Sequence, residues 1–359
     1  LPPPTVSRPG WGDDTDGIGQ IYDFVRSYQL SYIRSLQLPT GAIKDNEGES
    51  SKITPYFAHF AVLALLTDPT DENIETVKNY MLWYFSKLNS AVTEFRDDEI
   101  PGSVYDYFAP SETTKGTYDS VDSYAATFLE TAMRFAQLSE ENRAWLAEYS
   151  DKVSLVASAM MATIDTDTNA LPGSDANDCL SIAHYRYPVK YLMDNSEVNM
   201  GLKAAIWLSE NGIISTDADL NDILERNTEA IKALYNAANQ NYDYAKGNES
   251  DWSVFYPGAT AQLYPCLFGV TSPLETRSRQ IYETFNVHYP DWSSGTTYDT
   301  YPWTMVVYAA AVMNDTERVE SYVRHIYELN SKGEQMGYWY DAEAGSLVLA
   351  IDTIIKNNE

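Results

Sequence analysis

Two acidic residues stand beside two tyrosines where an apolar helix is predicted to begin. In the segment Thr-Tyr-Asp-Ser-Val-Asp-Ser-Tyr-Ala-Ala-Thr-Phe-Leu, Asp119 and Asp122 are three residues apart and are flanked by Tyr118 and Tyr124. A helix places residues three apart on one face, so both carboxyl groups would lie at its mouth. Carboxyl groups can exchange protons with a substrate, and a tyrosine offers a flat apolar ring with a polar edge, which suits a sugar. The segment therefore predicts half of an active site.

A second acidic group opens a later apolar stretch, at Asp194, Asn195 and Glu197. Glu197 lies among apolar residues, where loss of water would raise the pKa of its carboxyl group and favour the protonated form. We therefore predict Glu197 as a general acid, Asp122 or Asp119 as the ionised partner, and Asp194 as a further catalytic candidate. The alternative is that Asp119 and Asp194 cap their helices and that Glu197 is hydrogen-bonded inside the core.

Further residues could hold a substrate at the same place. Asp106 lies between two tyrosines on the long loop that precedes Asp119, and Asn195 follows Asp194 directly. Aromatic residues recur ahead of other predicted helices, and with Tyr124 they form a candidate sugar-binding set: Tyr105, Tyr118, Trp252, Tyr256, Trp292 and Trp303. For each of them, packing in the core is the competing interpretation.

Composition excludes several classes of partner. The 24 Lys and Arg residues face 52 Asp and Glu residues, a formal charge of -28 that repels nucleic acid and anionic membranes. No stretch is long and apolar enough to span a membrane.

The sequence shows neither a zinc-type spacing nor a nucleotide-binding motif, so we expect no metal and no cofactor. A bridge between Cys179 and Cys266 is left open. The start at Leu-Pro-Pro-Pro, without Met, leads us to expect a mature secreted chain.

The hydrophobic pattern predicts an all-α protein. Helical periodicity recurs in twelve segments, in which almost wholly apolar helices alternate with amphipathic ones. An apolar helix is buried and an amphipathic helix covers it, so the pattern predicts six inner and six outer helices. The twelve predicted segments are 17–36, 55–66, 71–88, 119–138, 139–164, 194–209, 217–238, 257–268, 273–287, 301–313, 315–330 and 342–355.

Loop lengths indicate which end of the predicted helices carries the function. Connections into the inner helices are mostly long, such as 37–54, 89–118 and 165–193, whereas those leaving them are short. Long loops on a rigid scaffold are where sites usually lie. We expect one catalytic domain over residues 1–359, with residues 1–15 as an irregular arm.

Twelve alternating helices with long loops on one face resemble the six-hairpin (α/α)6 toroid of many glycoside hydrolases and some polysaccharide lyases. The segment beginning at Asp119 resembles the Asp-rich start of an inner helix in glycoside hydrolase family eight, and this implies that Asp122 supports the sugar at the scissile bond. The chain departs from that family twice. It opens its first inner helix with Ser-Lys-Ile-Thr-Pro-Tyr, where the family has its acidic Ser-Glu-Gly, and it has Gly258 where the family's basic Asp would stand.

Together these observations predict a secreted, monomeric glycoside hydrolase that acts within a polysaccharide by acid–base catalysis with two carboxyl groups. A lyase on the same fold, using Tyr or His as the base, is one alternative. A glycan-binding protein without a catalytic pair is the other.

Overall fold

The chain is all-α in a computed structural model that describes residues 17–90, 99–167, 169, 171 and 177–358. The predicted arm, residues 1–15, lies outside the described residues. Buried and partly exposed helices alternate along the chain, as the sequence pattern predicts. The inner helices are α2 (Pro55–Leu65), α4 (Val121–Leu138), α7 (Leu192–Glu210), α9 (Tyr264–Leu267), α11 (Thr304–Val312) and α13 (Asp341–Asn358). The outer helices are α1 (Ile18–Ser35), α3 (Asp71–Lys87), α5 (Glu140–Ala147), α6 (Ser150–Thr163), α8 (Leu220–Ala233), α10 (Thr276–His288) and α12 (Thr316–Asn330).

The inner helices form a closed ring. Each packs against its neighbours in chain order, from α2 through α4, α7, α9 and α11 to α13, and α13 packs back against α2. This closure confirms the predicted (α/α)6 toroid. It also places α7 and α13 three positions apart in a ring of six, on opposite sides.

Two predicted helices are divided into shorter pieces in the structure, and a third, 217–238, is helical only over Leu220–Ala233, because residues 235–236 form a strand. The outer segment 139–164 is divided into α5 and α6 by a break at Tyr149, whose ring packs against Phe85 and Trp145. The inner segment 257–268 is a π turn, a 3-10 turn and the four-residue α9 instead of one helix. Pro265 lies inside that segment, where it removes a backbone N–H donor and its ring crowds the preceding turn, so α9 begins only at Tyr264.

Two glycines allow inner helices to touch through their backbones. A Cβ atom on Gly201 of α7 would lie 2.6 Å from the Cα of Ala126 in α4. A Cβ on Gly345 of α13 would lie 2.5 Å from the backbone of Phe60 in α2. Real Cβ contacts are not this short, so any larger residue would push the two helices apart.

Short strands shape the mouth of the ring. β1 (Lys52–Ile53) pairs antiparallel with β2 (Tyr107–Phe108), and this pairing brings Lys52 beside Asp106. β3 (Tyr235–Asn236) pairs with β4 (Asn241–Tyr242) in the same way.

Cys179 and Cys266 are both free thiols, so no disulfide bond joins them. Among the described residues, no helix has the length and hydrophobicity needed to cross a bilayer.

Replacement of Gly345 by Ala should destabilise the ring, because the added methyl group meets the backbone of α2. We expect the free energy of unfolding to fall by about 1–3 kcal/mol, measured by urea denaturation. Gly337→Ala is the matched control, since its Cβ would meet nothing within 4 Å. Equal stability of the two variants would contradict the close approach of α13 and α2.

Candidate active site

A cavity of about 720 Å³ opens where the loops enter the inner helices. Residues at the start of α2, α7 and α13 contribute to its wall, together with loop residues before α4 and α11. Among the described residues on this wall, Lys52 is the one basic side chain, and six residues with carboxyl groups line the same cavity. These are Asp45, Asp106, Asp119, Asp194, Asp299 and Glu343.

Asp194 is the third residue of α7 and combines burial with access to the cavity. Its Oδ2 atom is buried and has no hydrogen-bond partner. Burial raises the pKa of this carboxyl group to about 7, and the negative charge of Asp119 adds to the shift, while the Ser120 side chain opposes it. A carboxyl group with these properties can hold a proton near neutral pH.

Glu343 is the third residue of α13 and is held very differently. Its two carboxylate oxygens accept hydrogen bonds from the backbone N–H groups of Trp303, at 3.2 Å, and Thr304, at 2.6 Å. These donors lie at the N-terminus of α11, where the helix dipole favours a negative charge. Burial still raises the pKa of Glu343, and the hydrogen bonds from Thr304 and Trp303 act against it. The donors fix the carboxylate in place and favour its ionised form.

Asp194 and Glu343 therefore face one cavity from opposite inner helices. α7 and α13 are three places apart in the ring, and both carboxyl groups come from the first turn of their helix. Asp194 Oδ2 accepts no hydrogen bond, whereas the Glu343 carboxylate accepts hydrogen bonds from two backbone N–H groups. Two carboxyl groups in unlike environments across a cavity can serve as acid and base.

A third carboxyl group, on Asp106, is paired rather than free. Its oxygens accept hydrogen bonds from the Tyr124 hydroxyl, at 2.8 Å, and from Lys52 Nζ, at 3.1 Å. Burial raises the pKa of Asp106, and the Lys52 charge opposes this. Asp106 and Tyr124 line the cavity as the sequence predicts, and Asp119 is exposed on the same wall.

Glu197 and Asp122 lie behind the wall, which corrects the prediction that they contact the substrate directly. Glu197 is 1% exposed, and its Oε1 accepts a 2.5 Å hydrogen bond from Tyr56, whose side chain lines the cavity. Asp122 is fully buried, with its two oxygens accepting from Ser181 Oγ and the Ser123 N–H. Burial does raise the pKa of Glu197 well above normal, but Tyr56 separates its carboxyl group from the cavity.

The predicted binding residues divide into two groups. Tyr124, Tyr256 and Trp303 line the cavity, and the rings of Tyr256 and Trp303 pack at 5.0 Å. The other predicted contacts are corrected, because the structure places these side chains within the protein and away from the cavity wall; they are Asn195, Tyr105, Tyr118, Trp252 and Trp292.

Each of these side chains has a structural partner instead. The Asn195 amide bonds the backbone of Ser181 and of Tyr191. Tyr105 donates its hydroxyl hydrogen to Glu99, and its ring packs against Tyr118. Indole packing accounts for the two tryptophans: Trp252 stacks on His288, and Trp292 donates its N–H to Asn286.

Sequence reasoning did not identify Glu343. The available signal was its position in the first turn of the last inner helix, equivalent to that of Asp194 in α7. Gly258 also has a structural explanation, since a Cβ there would lie 2.4 Å from the carbonyl oxygen of Asp251. An aspartate cannot occupy that position in this fold.

Little in the cavity favours lyase chemistry. None of the four histidines is among the described lining residues, and burial lowers the pKa of His59 to about 3. Burial also raises the pKa of the lining tyrosines Tyr56, Tyr124, Tyr256 and Tyr264, which makes them weaker acids and disfavours the phenolate that a lyase base needs.

Buried carboxyl groups should make the stability of the protein depend on pH. Burial raises the pKa of Asp45 to about 6 and of Asp194 to about 7, and it raises those of Asp122, Glu197 and Asp341 further above normal. In the unfolded chain these carboxyl groups lose their protons at about pH 4. Their contribution to stability is therefore complete below about pH 4 and is lost as the pH rises through about 6 and 7.

We therefore expect the thermal unfolding midpoint to be higher at pH 5 than at pH 8, measured by calorimetry. Asp341→Asn, which removes a fully buried carboxyl group, should reduce that difference. A midpoint that rises from pH 5 to pH 8 would contradict the raised pKa values.

Comparison with solved structures independently supports the fold. No protein-family model matches the chain, and no curated protein sequence matches it. Solved structures do match over most of the chain, at low sequence identity. A glycosidase variant with a glutamate replaced by alanine is 9% identical, with a TM-score of 0.63, and the match covers 97% of this chain and 99% of that one.

Two other solved structures show the same architecture. A β-1,3-1,4-glucanase from Paenibacillus sp. X4 is 11% identical, with a TM-score of 0.60 over 93% of this chain and 92% of its own. A mannosylglycerate hydrolase from Thermus thermophilus, in complex with glucose, is 9% identical, with a TM-score of 0.57 over 91% of this chain and 99% of its own. The chain thus has the six-hairpin toroid fold that these glycosidases share.

Proposed function

We propose that the chain is a glycoside hydrolase in which Asp194 is the general acid and Glu343 is the base or nucleophile. The observation that carries the proposal is the placement of these two carboxyl groups on opposite inner helices around one cavity. The fold shared with structures named as glycosidases supports a carbohydrate substrate, and the neighbours differ in the sugars their names give.

Each carboxyl group has a defined part in the proposed reaction. Protonated Asp194 gives its proton to the glycosidic oxygen while the bond from that oxygen to the sugar carbon breaks. Ionised Glu343 either takes a proton from a water that attacks the carbon, or attacks the carbon itself to form a glycosyl ester, which water then hydrolyses with Asp194 now acting as the base. In both cases the sugar carbon gains the hydroxyl group of the water, and the glycosidic oxygen leaves as a hydroxyl group that carries the proton from Asp194. The aromatic wall at Tyr256 and Trp303 would stack against the sugar rings.

The remaining features are carried over from the sequence as part of the proposal. These are action within a polysaccharide, secretion and a monomeric state. Endo action predicts that the early products include oligosaccharides of several lengths, which chromatography of a short digest would show. Release of a single sugar from the outset would contradict it.

Asp194→Asn and Glu343→Gln should each lower kcat by about 10²–10⁴-fold, because each removes one partner of the acid–base pair. Activity is first located with a reducing-sugar assay on barley β-glucan, xylan, chitosan and starch. Glu197→Gln is the matched control, because its carboxyl group lies behind Tyr56; we expect a loss below about tenfold.

A substrate with an acidic leaving group separates the acid from the base, because such a bond breaks without protonation. On a dinitrophenyl glycoside of the sugar that is cleaved, Asp194→Asn should recover most of its activity, and Glu343→Gln should not. If Glu197→Gln shows the recovery instead, then Glu197 is the acid.

The dependence of kcat/KM on pH should also identify Asp194 as the general acid. Since the pKa of Asp194 is raised to about 7, kcat/KM should fall above about pH 7 as the group loses its proton. Replacement of Asp119 by Asn removes a nearby negative charge that raises this pKa, so the alkaline limb should move to lower pH. An unchanged limb would contradict the assignment.

A further inference from the structure

Four aromatic rings form a continuous series from inside the cavity to the protein surface. Phe57 stacks on Tyr340 with ring centroids 5.9 Å apart, Tyr340 contacts Tyr301 at 5.4 Å, and Tyr301 contacts Tyr338 at 6.2 Å. We call this series the aromatic ladder. Phe57, Tyr301 and Tyr340 line the cavity, whereas Tyr338 does not.

The outer half of the ladder is exposed to solvent. Tyr301 is 38% exposed and Tyr338 is 62% exposed, so their rings are accessible to a ligand. Tyr338 also has a positive φ of 56°, a backbone conformation that non-glycine residues rarely adopt. Backbone strain of this kind is common where a side chain must be presented for function.

The rings are also held in place by one another. The ring of Tyr340 packs against Tyr301 on one side and against Phe57 of α2 on the other. Rings fixed in this way lose little conformational freedom when a ligand binds, so their contact area contributes more to affinity.

The ladder lies beside the Glu343 end of the cavity. Tyr340 precedes α13 by one residue and Glu343 by three, and Tyr301 lies in the loop that enters α11. The acid, Asp194, comes from the opposite side of the ring on α7. A ligand resting on the ladder would therefore reach the proposed catalytic pair from the side of Glu343.

We propose that the aromatic ladder is a binding track for a sugar chain, so that the substrate is an oligosaccharide or polysaccharide that extends beyond the cavity. The inference rests on the proposed function and adds to it a surface that binds the substrate outside the cavity. Aromatic rings with hydroxyl edges suit sugars, which present C–H groups on one face and hydroxyl groups round the rim. The acidic cavity next to the ladder disfavours an anionic chain such as a polyuronate.

Tyr338→Asn tests the track, since asparagine removes the ring and tolerates a positive φ. Tyr338→Phe keeps the ring, and Leu274→Ala, at a 76% exposed apolar residue outside the cavity lining, is the control for loss of surface area. The probes are oligosaccharides of two to six units, prepared from each polysaccharide of the panel.

We expect Tyr338→Asn to lower kcat/KM on the longest substrates by about tenfold, with no change on the shortest. Leu274→Ala should match the unaltered protein at every length, and Tyr338→Phe, which keeps the ring, should lose less than Tyr338→Asn on the longest substrates. If Tyr338→Asn lowers kcat/KM equally on oligosaccharides of all lengths, or on none of them, the proposed track is wrong.

A binding measurement keeps the two proposals separate. Calorimetry with the same oligosaccharides does not require hydrolysis, so it tests the track even if no substrate is cleaved. Affinity that increases with length and loses that increase in Tyr338→Asn supports the track. Absence of binding by all the oligosaccharides overturns it, whereas binding without cleavage contradicts the hydrolase alone.

Discussion

The architecture depends on how closely the inner helices approach one another. At Gly201 and Gly345 there is room for a hydrogen atom and not for a methyl group, so α7 meets α4 and α13 meets α2 through their backbones. These contacts hold neighbouring inner helices together in the closed ring of six. The first turns of α7 and α13 are thereby directed to opposite sides of a single cavity, and that placement is the basis of the proposed chemistry.

The same close packing removes water from acidic side chains. Asp122, Glu197 and Asp341 are almost fully buried, and their raised pKa values make the folded state less stable as the pH rises. At Asp194 the same desolvation favours the protonated form of a carboxyl group that lines the cavity. Stability and the proposed catalysis are therefore linked through one physical effect, the transfer of carboxyl groups out of water.

Much of the fold could be predicted from the sequence because burial leaves a periodic record. Apolar and amphipathic helices alternate, and the structure confirms the toroid that this alternation predicts. The site was harder to predict for a physical reason. Polar and apolar residues are spread round α7, so its sequence has no distinct polar face to indicate its rotation. Periodicity therefore could not show that Asp194 faces the cavity while Glu197 faces Tyr56. Glu343 depends on the N–H groups of Trp303 and Thr304, about 40 residues away, a contact that local pattern does not record.

A crystal structure of the Asp194→Asn variant, with an oligosaccharide from the cleaved polysaccharide bound, would test the pairing of Asp194 and Glu343 most directly. We expect a glycosidic oxygen within about 3 Å of the side chain at position 194, and the adjoining sugar carbon facing Glu343. A sugar bound with its glycosidic oxygens away from position 194, or on a surface remote from Glu343, would contradict this pairing.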